Sequence, residues 1–315
     1  MMQVLPVMLT LYSVLIPTKT WYTPSEPLMM QLKGGGDVSL IAMDFGGQVV
    51  DPKGPTDISG DRVIDVKTIY PVLDKPGTHV LWAVPKNHSL PDFVGTPVVI
   101  ETRVDRRIDA PTDAMIIKVE PLSFATIDTN HGPMTAVFYY SAPNSVSNFI
   151  SLAIGGFYDG LKFFRIQPDV CIQTGDPRND GTGGPGYHIE AEFNDRPHLE
   201  GVLSMSRQMD PIEGQGVLPR TEFANSAGSQ FFICLKYDKT KEFDRRFTAF
   251  GKVVDGFKVV QAIGNVKLKD DKTGIPEEPQ IVKSITIQPV TPQKNPYVDM
   301  LNLKPQTATT VPTIP

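Results

Sequence analysis

The run Phe163-Phe164-Arg165-Ile166-Gln167-Pro168-Asp169-Val170-Cys171-Ile172-Gln173-Thr174-Gly175-Asp176-Pro177, continuing to Gly181-Thr182-Gly183-Gly184, decides how the chain is read. Leu161–Ile166 and Val170–Thr174 gather aromatic and branched residues in short bursts, which predicts two strands. A single arginine stands among them. Burying a guanidinium in such company is costly, so Arg165 should reach a rim or pocket that wants donors, or else pair with a carboxylate as a structural residue. On these residues alone both readings stand.

Downstream, Gly181-Thr182-Gly183-Gly184-Pro185-Gly186 has the spacing of a dinucleotide-binding loop, G-x-G-x-x-G. That loop works only between a strand and a helix N-terminus, where amides face a pyrophosphate. Here Pro185 and the alternating Tyr187–Phe193 predict a following strand, so the run reads as a structural loop beside a site. His188, Glu190 and Glu192 share one face of that strand, with His198 ten residues beyond His188. Alternate strand positions lie about 7 Å apart, too far for three side chains to chelate one ion without a bend. They read as solvated polar groups, and neither a metal nor a cofactor is expected. No G-x-S-x-G, H-E-x-x-H or P-loop run occurs, which removes the usual hydrolase, zinc-protease and nucleotide hypotheses.

Working outward, Phe124–Thr129 and Met134–Tyr140 predict a hairpin joined through Asn130-His131-Gly132-Pro133. A helix follows from Pro143-Asn144-Ser145, with Val146, Phe149, Ile150 and Ala153 as its apolar face and Gly155-Gly156 as its end. Gly201–Met205 and Ser229–Leu235 add further strands. A closed antiparallel barrel capped by few helices is the natural packing.

The rest of the 315-residue chain exceeds one ordinary core. Residues 20–104 alternate short β-branched runs with turn chemistry, such as Val38–Met43 before Asp44-Phe45-Gly46-Gly47, and predict a β-sandwich. Within it, Lys19–Leu28 resembles the opening of immunoglobulin-like domains of the macroglobulin type. The charge-rich 105–114 reads as a linker, 115–290 as the second domain and 291–315 as a Pro/Thr-rich tail that forms neither sheet nor helix. Residues 1–19 are apolar enough for a secretory signal, yet no Lys or Arg precedes the apolar run and no small-x-small site follows it. They serve equally as a first strand. The compartment is otherwise unreadable, with a slight lean to an exported or periplasmic one, and no apolar run of about 18 residues supports a membrane anchor. A net charge of −5 gives no broad basic surface for nucleic acid. Cys171 and Cys234 are expected as free thiols, Cys171 the more reactive.

Taken in order, several stretches resemble the cyclophilin signature, most closely its bacterial branch. They are Phe163–Pro177 with Gly181–Gly184, Gly201–Met205, Ser226-Ala227-Gly228-Ser229-Gln230-Phe231-Phe232-Ile233 and Phe247-Thr248-Ala249-Phe250-Gly251-Lys252-Val253, spanning roughly residues 116–290. The resemblance implies a mainly β chain: an immunoglobulin-like β-sandwich, then an eight-stranded antiparallel β-barrel capped by two helices. It further implies cis/trans isomerisation of X-Pro bonds in proline-containing polypeptide clients, assisting folding without a cofactor. By position the catalytic residues would be Arg165 and Gln173. The proline pocket would comprise Val170, Cys171, Phe232, Phe243 and Phe247, with Gln230 and the backbone at Gly181, Ser206 and Arg207 along the groove.

Departures from the pattern fall at the pocket wall. Val170 and Cys171 replace a phenylalanine and a methionine, Phe164 a histidine, and Phe247 a histidine or tyrosine. An insertion from Gln208 to Phe223 lengthens a loop near the groove. The alternative to an enzyme is a catalytically weak proline-peptide binding module or assembly factor.

Overall fold

The computed structural model describes residues 14–34, 36–50, 56–105, 114–213, 217–301 and 303. Two compact units emerge, one spanning Ser123–Gln288 and the other built from the chain on either side of it.

In the flanking unit, Leu15–Pro17, Met29–Leu32 and Arg62–Asp65 form a three-stranded sheet. Six strands form a second sheet in the order Trp21–Tyr22, Met115–Pro121, Val98–Val104, Gly77–Pro85, Val38–Asp44 and Thr56–Ile58. Strand side chains alternate between faces, so Val38, Leu40, Ala42, Leu81, Ala83, Val98 and Ile100 project to one side. There they join Leu15, Met30 and Leu32 of the other sheet in one hydrophobic core, which makes the unit a two-sheet sandwich.

Two sequence expectations shift here. Met115 does not open the second unit: Met115–Pro121 pairs antiparallel with Val98–Val104, from Val98 opposite Pro121 to Val104 opposite Met115. Ile117 and Val119 enter the sandwich core, and the Asp105 N–H donates to the Ala114 carbonyl at 2.7 Å. The polar run between them therefore bridges a hairpin rather than two domains; residues 106–113 themselves lie outside the described residues, as do 1–13 of the opening segment. Beyond Pro289 the chain forms no ladder apart from a Thr291–Lys294 bridge, yet Tyr297, Leu301 and Leu303 are buried. A β carbon at Gly47, whose φ is +81°, would lie 2.7 Å from the Leu301 carbonyl oxygen, so the start of the expected tail is packed structure.

The other unit is one antiparallel sheet of eight strands. Their order is Arg165–Gln167, Cys171–Thr174, Phe231–Cys234, Val202–Met205, Ala249–Asp255, Gly132–Phe138, Ser123–Thr129 and Val282–Pro289. Its two edges meet just before Arg165: Lys162 bridges Ile281, while Gly160 N–H donates to Val282 O and Phe163 N–H to Gln280 O, each at 2.8 Å. The sheet thereby closes on itself, leaving few bare edge groups. Phe138, Phe149, Tyr158, Phe231 and Phe250 fill one part of the interior, their rings packed edge-on or tilted around Phe149 at 5.3–5.8 Å.

Phe149 belongs to the longer of the unit's two main helices, Pro143–Ile154 and Phe257–Gly264. The cap residue Ala142 offers no side-chain acceptor. Glu192 supplies it from a distance, accepting the Asn144 and Ser145 N–H groups at 2.9 and 2.8 Å and the Ser145 hydroxyl at 2.9 Å. A carboxylate against the free amides and positive end of a helix is stabilising, so this candidate metal ligand has a structural use. The strand expected over 187–193 reduces to a single bridge, Ile189 with Ala227.

Candidate active site

Register sets the site. Arg165 opposes Gln173, Gln173 opposes Phe232, and Phe232 opposes Ser204 on successive strands. Directly opposed residues share a face, so these four stand in one row outside the barrel. The neighbouring row, Ile166, Ile172, Ile233 and Leu203, is fully buried within it. Apolar alternation thus fixes which side chains reach solvent before any chemistry is considered.

The row borders an open groove of about 1020 Å³, into which Arg165, Gln173, Gly181, Ser206, Arg207 and Gln230 all face. The nearly buried Gln173 amide donates to Ser206 Oγ at 3.0 Å and to Gln230 Oε1 at 2.9 Å. Gln230 in turn donates to the carbonyls of Gly181 at 3.0 Å and Gly183 at 2.8 Å. From below, Asp176 accepts the N–H groups of Arg178, Asp180 and Gly181 at 2.7, 3.1 and 2.6 Å. A β carbon at Gly183 would fall 1.9 Å from Asp176 Oδ1, so the close approach of loop and carboxylate requires glycine there. The glycine run therefore serves as a stiff wall for the groove. Arg165 is exposed, and among the described residues no carboxylate pairs with it.

The five apolar residues do not line this groove; they adjoin it. Phe232, Phe243 and Phe247 form a triangle with centroids 5.1–5.6 Å apart. Cys171, opposite Cys234, shares the outer face with Gln173 and Phe232. Val170 is half-buried in the preceding turn, its carbonyl taking the Leu235 N–H at 2.8 Å. Both thiols are free and buried. Burial pushes the Cys171 thiol up to about 12 although Arg165 pulls the other way, and burial likewise raises Cys234. The thiolate is the reacting form, so the expectation that Cys171 is readily modified gives way to two inert thiols.

His198 is the residue sequence reasoning missed. It is fully buried, stacks on Phe232 with centroids 6.3 Å apart and meets the edge of Phe243 at 6.1 Å. Its Nδ1 lies 3.0 Å from Asp244 Oδ1 and its Nε2 3.0 Å from Ser204 Oγ. Burial lowers its pKa, with Asp244 opposing. Rather than a solvated strand group, it backs the aromatic cluster. The only signal was distributed: a partner at Asp244, in the segment that also supplies Phe243 and Phe247.

The inserted loop is built rather than slack. Asp210 takes Arg220 at two points, Nε to Oδ2 at 2.9 Å and Nη2 to Oδ1 at 3.0 Å. Those hydrogen bonds hold its carboxyl well below the usual carboxylate range. The buried Glu213 meets Arg207 Nη2 at 2.6 Å.

Against known proteins, residues 124–287 match the model of the cyclophilin-type peptidyl-prolyl cis-trans isomerase/CLD family. A peptidyl-prolyl cis-trans isomerase of Synechococcus elongatus is 41% identical over 144 residues, covering 45% of this chain and 88% of that protein. One from Helicobacter pylori is 37% identical over 161 residues, covering 49% and 89%. Among solved structures, a cyclophilin-type isomerase of Cryptosporidium parvum crystallised with the dipeptide Ala-Pro is similar at 27% identity and a TM-score of 0.46. It covers 53% of this chain and 99% of its own.

Proposed function

The chain belongs to the cyclophilin-type peptidyl-prolyl cis-trans isomerase family, and from that premise we propose that Arg165 is the catalytic donor for X-Pro isomerisation in proline-containing polypeptides, with Gln173 positioning it. What supports the assignment is one observation: a guanidinium without a carboxylate, facing an open groove in register with a fixed amide.

Rotating about the C–N bond of an amide costs about 18–20 kcal/mol, because its partial double bond is lost. No covalent chemistry is needed. Near 90° the nitrogen recovers its lone pair and becomes an acceptor, so a donor aimed at it binds the twisted amide better than either planar form. Arg165 stays protonated and offers a planar fork of N–H groups. Gln173, held by Ser206 and Gln230, keeps donor and groove in one geometry. The triangle of Phe232, Phe243 and Phe247, with Cys171 and Val170 beside it, supplies the apolar surface that grips the proline ring while the other half of the bond turns.

The test is a protease-coupled isomerisation assay on the full-length protein and Arg165→Ala with one proline tetrapeptide. A folded variant working at the parent rate would remove Arg165 from the mechanism.

A further inference from the structure

Glu213 sits in the insertion, outside the motifs that carry the family resemblance, yet it is 5% exposed and lies between two arginines. Its Oε1 is 2.6 Å from Arg207 Nη2 and 3.5 Å from Arg246 Nη1. The loop is tied down around it. Glu213 N–H donates to the Asp210 carbonyl at 3.0 Å, the Asp210 carboxylate holds Arg220, and Arg246 Nη1 donates to Val217 O at 3.0 Å.

What Glu213 grips lies against the pocket. Arg207 Nε donates to the Arg246 carbonyl at 3.1 Å and its Nη1 to the Gln208 carbonyl at 2.9 Å. With Nη2 on Glu213, each nitrogen of the guanidinium is engaged. The plate is thereby locked with its carbon 4.4 Å from the ring centre of Phe247, at cation–π distance. Phe247 is one corner of the aromatic triangle, and Arg207 also lines the groove. Two of the three anchors are backbone carbonyls, which fix direction. Glu213 alone supplies charge, and a charge-assisted hydrogen bond is roughly twice as strong as a neutral one.

We propose that Glu213 is a positioning residue for the proline pocket: through Arg207 it holds Phe247 in place, so the inserted loop sets how tightly the proline ring is bound. The inference rests on the assignment of Phe247 to that pocket. Without the carboxylate, Arg207 keeps a burial cost with no opposite charge beside it, and the plate has reason to leave Phe247 for water. The effect belongs to ring binding, and Arg165 is untouched.

The experiment uses full-length protein, one proline tetrapeptide, and two measurements: kcat and KM from the coupled assay, and Kd by calorimetry. Glu213→Gln is expected to raise KM and Kd about tenfold while kcat stays within about twofold of the parent, the split that follows from losing uniform binding. A folded Glu213→Gln with a lower Tm but the parent's Kd would reduce Glu213 to a structural ion-pair partner and overturn the proposal. Should that variant not fold, Arg207→Lys decides: it keeps a cation for Glu213 but lacks the planar face, so the same rise is expected, and an unchanged Kd overturns the proposal. The parent's own activity reports on the assignment of the site, and the ratio of variant to parent on this inference.

Discussion

Two arginines face the same groove from opposite circumstances. Arg165 begins a strand, is exposed and has no carboxylate partner among the described residues. Arg207 has a side chain only 2% exposed, is tied by Glu213 and two carbonyls, and lies flat on Phe247. The difference shows how one side chain serves two ends. A donor meant for an acceptor that exists only halfway through a reaction must have its N–H groups unspent, whereas a group meant to hold a wall still must have them all spent. Partnering, more than residue type, separates chemistry from architecture here.

If that contrast is right, the two arginines should fail differently. Arg165→Ala should lose about 10²–10³-fold in kcat/KM, the size seen when one transition-state donor is removed, with little change in peptide Kd or Tm. Arg165→Lys should recover little, since a point charge on a flexible stem lacks the fork. Arg207→Ala should instead cost about 3 kcal/mol of stability by leaving Glu213 buried beside only the more distant Arg246, read as an earlier thermal or denaturant transition. An Arg207→Ala protein as stable as the parent would collapse the comparison.

Gln173 sharpens it further, because it stands opposite Arg165 yet is itself fully used. Gln173→Ala should lower kcat/KM roughly tenfold by freeing Gln230 and Ser206, with the peptide still bound. An unaffected rate would mean that Arg165 needs no such framing.

The smallest effect concerns the floor beneath the triangle. His198 has its pKa lowered by burial, so the unfolded chain takes up a proton there before the folded one does. Stability is then complete above the ordinary imidazole value of about 6.5 and falls as pH drops below it, by at most about 1.4 kcal/mol per unit until His198 itself protonates. In His198→Gln that slope should flatten. A slope that survives would transfer it to His79 of the sandwich, also buried with a lowered pKa.

How much of this was legible follows from the range of each interaction. Arg165, Gln173 and Phe232 could be placed from sequence because a period of two fixes faces along a strand, and the surrounding motifs fix order. Met115–Pro121 could not, since a hairpin loop and a linker share the polar composition of 105–114 and only the pairing with Val98–Val104 tells them apart. The hold of His198 on Asp244 spans 46 positions. Arg207 was expected to contribute backbone to the groove, while its side-chain role depends on Glu213, inside an insertion with no pattern to read. Tyr297 and Leu301 were read by their proline-rich surroundings, which rightly deny them a ladder but say nothing about burial.

The packing of Tyr297 and Leu301 into the flanking unit has a consequence for the order of synthesis. The barrel is one uninterrupted stretch, Ser123–Gln288, whereas the sandwich unit draws on chain from both sides of it. On a ribosome the barrel can be complete while the first unit still waits for its closing residues. The part made first is finished last, so a pause or truncation shortly after residue 288 would release an intact isomerase barrel attached to a sandwich unit with Gly47 and its neighbours uncovered.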